Sequence, residues 1–189
     1  MGCSPAWHAD GKWLVYLRGL TRDNAGKQTD RGAARIMNYW LIKSEPDAFS
    51  IDDLENAPDK TEHWDGIRNY QARNFIRDSM EVGDLAFFYH SNCKPPGIVG
   101  ICEIVSGAYP DHTAFDPNEK YFDPKSDPEN PRWLMVDVKF CRKTKRMIDL
   151  AEIKEHADRL EGFALIRRGN RLSIMPVSKE HWDYILSLE

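Results

Sequence analysis

The chain has 189 residues, of which 41% are hydrophobic, and its formal net charge is -4 at pH 7. This length predicts one domain with at most an appendage. No apolar run approaches the roughly 18–20 residues of a membrane-spanning helix, which predicts a soluble protein. The cysteines form no C-x-x-C pair, so we expect free thiols and a cytoplasmic location, or a nuclear one in a eukaryote; they are Cys3, Cys93, Cys102 and Cys141.

The charge is unevenly distributed along the chain. Residues 1–36 hold six Lys and Arg against three Asp and Glu, which leaves 20 basic and 27 acidic residues in 37–189. Affinity for phosphate comes from clustered Lys and Arg. If this acidic segment binds nucleic acid, it therefore needs a local basic patch and a pocket.

Apart from the short apolar run over 13–17, small and polar residues interrupt every periodic pattern before position 37. We predict that residues 1–36 are an N-terminal extension, flexible or non-native. The alternative is an accessory strand or a partner-binding tail. From Met37 onward the sequence is dense in regular patterns, which places the domain at 37–189.

Strands and helices alternate in the first half of this domain. A short apolar strand is predicted over 39–43, and Ser50 then begins a helix with capping-box spacing. Asn69 is predicted to cap a second helix whose apolar residues follow the i, i+3, i+4 spacing. Strands follow over 85–90 and 98–105, and the continuous apolarity of the latter indicates burial on both faces.

The second half continues the same order. Residues 133–140 alternate between apolar and mixed positions, which is typical of a strand. Asp149 begins a helix whose apolar stripe is predicted to run from Leu150 through Ala157 to Leu160. A strand over 172–174 and a helix over 178–188 complete the chain. Neighbouring strands joined by turns predict an α+β fold, with a curled, mostly antiparallel sheet or small barrel and flanking helices.

The segment between Ser106 and Arg132 is long and rich in Asp, Pro and Asn. Connections longer than about 12–15 residues without regular structure are usually functional or disordered. This one holds four aromatic residues, which argue against disorder. We expect it to pack over a site.

Two short stretches offer polar groups next to strand ends or aromatic rings. Lys43, Ser44 and Glu45 follow the first strand, and Pro46 forces a sharp turn there; an ordinary turn is the alternative. The second stretch enters the Asn69 helix, and its donors and acceptors beside an aromatic plate suit a flat heteroaromatic ligand such as a nucleobase. A structural tryptophan in a loop is the alternative. Its candidate residues are Trp64, Asp65, Gly66, Arg68 and Asn69.

Tyr89 and His90 lie at the end of a predicted strand, shortly before Cys93. A metal site needs about four ligands, and no second His/Cys pair has zinc-like spacing, so we predict no metal and no cofactor. A Cys–His nucleophile would require a spatial pairing that the sequence does not reveal. We therefore assign Tyr89 and His90 to polar pocket contacts.

Basic residues fall into clusters that could contact phosphates despite the acidic total. The alternative is a solvated strand end that balances nearby acids. The phosphate candidates are Arg73, Arg77, Arg142, Lys143, Lys145 and Arg171.

Together these stretches resemble the EVE domain family over essentially 37–189, and the detail of 109–117 looks closer to its bacterial members. The matching stretches are 40–46, 64–75, 87–100, 109–117, 130–133 and 171–176. The resemblance implies a PUA-like fold, similar to the YTH domains that bind methylated adenine. It implies backbone contacts from Lys43 and Ser44 and an aromatic-cage role for Trp64. The candidates for the second wall of the cage are Tyr121, Phe122 and Trp133, and the resemblance does not choose between them.

We predict a non-catalytic module that binds modified DNA or RNA, single-stranded or with a flipped base, and no membrane. The excess of acidic over basic residues in 37–189 argues against nucleic-acid binding. One alternative is a protein-interaction scaffold that docks a partner on the aromatic segment. Another is an enzyme that uses Glu45, Asp65 and His90 on a nucleotide-like ligand, although no known catalytic motif is present.

Overall fold

The computed structural model describes residues 37–189, and the extension predicted over 1–36 lies outside this range. Seven strands and four helices follow one another, with three short 3-10 turns between them. The strands are β1 (Tyr39–Ser44), β2 (Thr61–Trp64), β3 (Leu85–His90), β4 (Gly97–Ile104), β5 (Tyr109–Pro110), β6 (Leu134–Asp149) and β7 (Ile174–Val177). The helices are α1 (Ile51–Asn56), α2 (Tyr70–Asp78), α3 (Leu150–Glu155) and α4 (Lys179–Leu186).

All seven strands belong to one sheet in the order β2-β6-β4-β3-β1-β7, and β5 pairs with β6 beside this path. Only the β1–β3 pair is parallel; every other pairing in this part of the chain is antiparallel. The edge strands β2 and β7 do not pair with each other within residues 37–189, so the sheet is open. The predicted α+β class and mostly antiparallel sheet are confirmed.

The sheet has a hydrophobic core on each face. Successive residues of β1 point to opposite sides, so Trp40 and Ile42 enter one core and Leu41 enters the other. The same alternation in β3 sends Phe88 to the first core and Phe87 to the second. This double burial explains why the central strands are continuously apolar. The first core packs under α1 and α2, and the second under α3 and α4.

Helix starts are where the sequence predicted them. Ser50 and Asp53 form a reciprocal capping box at α1, and the Asn69 side chain accepts hydrogen bonds from two backbone N–H groups of α2. The stripe predicted after Asp149 is only partly correct. α3 ends at Glu155, and Ala157 lies exposed in the following turn, although Leu160 is buried.

Four strands differ from the prediction. β5 lies within the segment between Ser106 and Arg132, for which no regular structure was predicted. β2 was not predicted, since its residues are mostly polar and the strand exists through its pairing with β6. β6 is twice as long as predicted, because its basic second half pairs with β4. The strand expected over 172–174 begins instead at Ile174 and pairs antiparallel with β1.

Candidate nucleic-acid interface

A cavity of about 530 Å³ opens at the carboxyl end of β1. Sites for small ligands usually measure about 300–1,000 Å³. Five chain segments form its walls: the turn after β1, the end of β2 with the loop that follows, the residue after β3, the 106–133 segment, and the residues before β7. The lining residues are Lys43, Ser44, Glu45, Ala48, Phe49, Glu62, His63, Trp64, Asp65, Gly66, Ile67, Ser91, Lys120, Tyr121, Arg171, Leu172 and Ser173.

The end of β1 is held by bonds to both neighbouring segments. The Ser44 carbonyl accepts from the Ser91 N–H at 2.8 Å, and the Lys43 N–H donates to the Ser173 carbonyl at 2.9 Å. The Glu45 carbonyl then accepts from two N–H groups in the following turn. The predicted residues Lys43, Ser44 and Glu45 therefore all reach the cavity. Burial lowers the pKa of Lys43.

Trp64 belongs to the core and to the cavity wall at once. It is the last residue of β2, paired with Val136, and only 7% of its surface is exposed. Its ring makes edge contacts with Phe88 at 5.4 Å and Phe49 at 6.4 Å between centroids. Both interpretations of Trp64 from the sequence placed it in a loop, which is wrong: it ends β2, packs in the first core and lines the cavity.

The Tyr121 ring lies directly against the backbone of Gly66. Gly66 has φ +71, and a Cβ there would come within 2.6 Å of Tyr121 Cδ2 and Cε2. Only glycine allows this approach and adopts this backbone conformation without strain. Of the three aromatic residues considered for the second wall, Tyr121 lines the cavity, whereas Phe122 and Trp133 do not.

Arg68 and Asp111 hold this arrangement together from behind the wall. Asp111 is fully buried and accepts from the Gly66 N–H at 3.0 Å and from Arg68 Nη1 at 2.6 Å. Arg68 Nε also donates to the Tyr121 carbonyl at 2.7 Å. Burial alone would raise the pKa of Asp111, but the hydrogen bonds from Arg68 and Thr113 outweigh it and lower the pKa. Arg68 therefore positions Tyr121 and does not itself line the cavity.

Acidic residues and one histidine are among the lining residues. Burial, together with the charge of Asp111, raises the pKa of Asp65. His63 Nε2 lies 3.7 Å from the Asp65 carboxylate, and the His63 and His112 rings are 5.2 Å apart. Within residues 37–189 no group of three or more His, Cys, Asp or Glu is placed to hold a metal ion.

Besides Arg68, four predicted pocket residues do not line the cavity. Asn69 caps α2, and Tyr89 is buried in the second core. His90 Nε2 accepts from the Ile51 N–H at 3.1 Å, so it supports the start of α1 and not the cavity. Trp133 is buried beneath Tyr70 and donates to Asp123 at 2.7 Å. The enzyme hypothesis thus has Glu45 and Asp65 at one site, without His90.

Some of the basic residues predicted to contact phosphate form ion pairs with carboxylates of the domain, and others do not. Arg142 pairs with Glu189 at 2.9 Å, and Lys143 pairs with two carboxylates of α1. Arg77 pairs with its neighbour Asp78. In contrast, Arg171 is exposed at the cavity, and Lys145 is exposed on β6 away from the lining residues. Arg73 lies beside Tyr70, with its guanidinium 5.2 Å from the ring centre.

Several lining residues were not predicted from the sequence, among them Glu62, His63 and Lys120. Glu62 and His63 precede Trp64 in the strand that was not predicted, so no pattern marked them. Asp111 was missed as well. Its only local signal is that an Asp begins a 3-10 turn, whereas its importance depends on Arg68, 43 residues away.

Comparison with known proteins gives consistent matches over the described domain. A model of the EVE domain matches residues 38–188. Thymocyte nuclear protein 1 of Homo sapiens is 49% identical over 170 residues, which cover 82% of this chain and 75% of the human protein. The Gallus gallus protein of the same name is 48% identical over 189 residues, covering 90% and 78%.

Solved structures agree with these matches. The crystal structure of human THYN1 in complex with 5-methylcytosine-containing DNA superimposes with a TM-score of 0.77 at 49% identity, covering 80% of this chain and 96% of that one. A Pseudomonas syringae protein superimposes with a TM-score of 0.75, also at 49% identity, covering 79% and 98%. Equal identities do not place this chain nearer to the bacterial members. No helix within residues 37–189 is long and apolar enough to cross a membrane.

Proposed function

The chain belongs to the EVE domain family, and from this membership and its cavity we propose that it binds nucleic acid by taking up one modified base. The observation that carries the proposal is a cavity large enough to admit a nucleobase, lined by Trp64 and Tyr121 together with the half-buried Asp65. The human relative solved with 5-methylcytosine-containing DNA makes that base the first ligand to consider. A base enters such a pocket only after leaving its stack.

The lining offers complementary chemistry for this base. An ionised Asp65 can accept a hydrogen bond from the exocyclic amino group of cytosine. Lys43 of β1 supplies a donor, and the apolar surfaces of Phe49, Ile67 and Leu172 can receive a methyl group. Burying one methyl contributes about 0.8 kcal/mol, which is roughly a fourfold preference. Stronger discrimination requires that an unmodified base leave part of the cavity poorly filled or a polar group unpaired.

Exposed cations on two sides of the cavity support a path for the phosphate backbone. Arg171 lies on one wall and Lys120 on another. Arg142 and Lys143 of β6 are instead neutralised by Glu189 and by the acids of α1. The protein can therefore bind an anionic strand locally although its net charge is negative.

This role is a binding role, and it needs no catalytic group or cofactor. The name of the vertebrate relatives, thymocyte nuclear protein 1, supports a nuclear location if the source is eukaryotic. Imaging of a fluorescent fusion in cells of the source organism would test this location, and exclusion from the nucleus would contradict it.

Tyr121→Ala tests the pocket directly. Loss of one stacking surface costs about 1–3 kcal/mol per base, so the affinity for a single-stranded DNA oligonucleotide with one central 5-methylcytosine should fall by about 5- to 160-fold. Trp64→Ala is a poorer test, since it also removes a core side chain. Affinities would be measured by fluorescence anisotropy at fixed salt concentration.

Phe122→Ala is the matched control for this measurement. Phe122 is the next residue, has the same 37% exposure and does not line the cavity. Its substitution should leave the affinity unchanged. Asp65→Asn in the same assay should weaken cytosine binding, because the new amide can present a donor where an acceptor is needed. Equal affinities for wild type and Tyr121→Ala would contradict the proposed pocket.

A further inference from the structure

An aromatic and cationic strip continues from the cavity onto the surface of α2. It consists of Tyr121, Arg68, Trp133, Tyr70 and Arg73, and is called the α2 strip below. The Arg68 guanidinium lies 5.9 Å from the centre of the Tyr121 ring and 5.6 Å from that of Trp133. Trp133 in turn packs against Tyr70, with 5.0 Å between centroids and 32° between planes. The strip is thus continuous with the cavity wall.

Tyr70 is the most exposed large hydrophobic residue of the described domain, at 55%. The buried Trp133 lies beneath it, which fixes the position of the ring. A fixed aromatic surface loses little conformational entropy when a ligand stacks on it. A smaller apolar side chain could cover Trp133, yet Tyr70 leaves about half of its own surface exposed to water. The exposed face of its ring is therefore available for a ligand to stack on.

The charge around Tyr70 favours an anionic occupant. Arg73 Nη1 donates to the Arg132 carbonyl at 2.8 Å, which holds its guanidinium beside the Tyr70 ring. Among residues 37–189 no carboxylate forms an ion pair with Arg73, whereas Arg77, one turn later, is paired with Asp78. A held, unneutralised guanidinium next to an exposed aromatic ring suits a phosphate beside a base.

We propose that the α2 strip is a second nucleotide site, at which Tyr70 stacks on a base flanking the modified one and Arg73 contacts the adjoining phosphate. This site rests on the proposed function, because it extends the same strand that enters the cavity. The occupant is one unpaired nucleotide of any sequence, since stacking uses the base face and not its edge. The second site would add affinity without changing the preference for the modified base.

The experiment compares two probes that differ in length. Free 5-methyl-2′-deoxycytidine 5′-monophosphate reports on the cavity alone, followed by NMR chemical shifts so that weak binding is measurable. A nine-nucleotide single-stranded DNA with central 5-methylcytosine reports on both sites. Tyr70→Ala should lose about tenfold affinity for the oligonucleotide and none for the mononucleotide. Tyr70→Phe keeps the ring and should bind both probes like wild type.

An abasic series locates the flanking base without relying on a variant. Removing one base at a time from the oligonucleotide should cost wild type and Tyr70→Phe about tenfold at one flanking position. In Tyr70→Ala the same abasic site should cost nothing further, because its partner is already absent. Equal oligonucleotide affinities for Tyr70→Ala and wild type, or a loss that is independent of the abasic position, would overturn the second site alone. Failure of wild type to bind either probe would overturn the proposed function and this site with it.

Discussion

The contact between Gly66 and Tyr121 makes one backbone position decisive for the pocket. Gly66→Ala should lower the free energy of unfolding by about 1–3 kcal/mol, because alanine at positive φ is strained. The new Cβ would also displace the Tyr121 ring, 2.6 Å away, so oligonucleotide affinity should fall as well. Chemical denaturation and fluorescence anisotropy would measure the two effects.

Substitutions at two other glycines distinguish backbone strain from displacement of Tyr121 as causes of these effects. Gly162 also has positive φ, +82, but a Cβ there would meet nothing within 4 Å. Gly162→Ala should therefore show the backbone strain without any loss of binding. Gly107 has open space and no positive φ, so Gly107→Ala should stay within about 0.5 kcal/mol of wild type. A Gly66→Ala variant that binds like Gly162→Ala would show that Tyr121 does not depend on this contact.

Individual side chains also show how far the sequence could predict the site. Lys43, Trp64 and Asp65 were assigned to the pocket from local signals. Lys43 lies at a predicted strand end, and Trp64 stands next to polar residues in the sequence. Arg68 was included too, but the structure gives it a supporting position, bonded to Asp111 and to the Tyr121 carbonyl. That position depends on residues more than 40 places away, which no local pattern contains.

The link between β3 and α1 makes part of the stability depend on pH. His90 Nε2 must be unprotonated to accept from the Ile51 N–H, and burial lowers the pKa of His90. The unfolded chain therefore binds a proton more readily than the folded one. This contribution to stability is complete above the ordinary histidine pKa of about 6.5 and is lost as the pH falls through the lower pKa of the folded state.

His90→Gln isolates this effect, because an amide oxygen can accept the same hydrogen bond but does not titrate near neutral pH. Urea denaturation at about pH 7.5 and pH 5.5 should show a larger loss for wild type than for His90→Gln. Other groups titrate equally in the two proteins, so the difference reports on His90. Identical losses would mean that the histidine does not control the junction.

Elements that are defined locally were predicted better than elements that exist through pairing. The starts of α1 and α2 were correct, since a cap needs only a few consecutive residues such as Ser50 and Asp53. β2 and the second half of β6 were missed because their polar residues form strands only against distant partners. Glu62 and His63 belong to β2 and line the cavity. Because β2 was not predicted, these two residues were not predicted as part of the site either.

The distribution of charge over the domain predicts which cations respond to salt. Arg171 is exposed at the cavity, whereas Arg142 is paired with Glu189. Arg171→Gln should weaken oligonucleotide binding and reduce the slope of log affinity against log salt concentration by about 0.7 for one lost single-strand phosphate contact. Titrations at four or more salt concentrations would give the slope.

Arg142→Gln lowers the net charge of the protein by the same amount as Arg171→Gln. It is therefore the control for effects of the overall electrostatic field on binding. Its salt slope should match that of wild type, although the lost ion pair can change stability. If both substitutions changed the slope equally, the response would come from the overall field and not from a contact at Arg171.

The placement of β7 beside β1 has a consequence for synthesis of the protein. β1, the first strand of the described domain, is completed on one side by β7, whose residues are translated about 130 positions later. The second core also needs Trp182 and Ile185, and the cavity wall needs Arg171. A nascent chain that has left the ribosome only as far as residue 169 can therefore form neither the full sheet nor the site. Folding of the domain must wait until residues 170–189 have emerged, and a chain truncated before them would expose an unpaired β1 edge to aggregation or degradation.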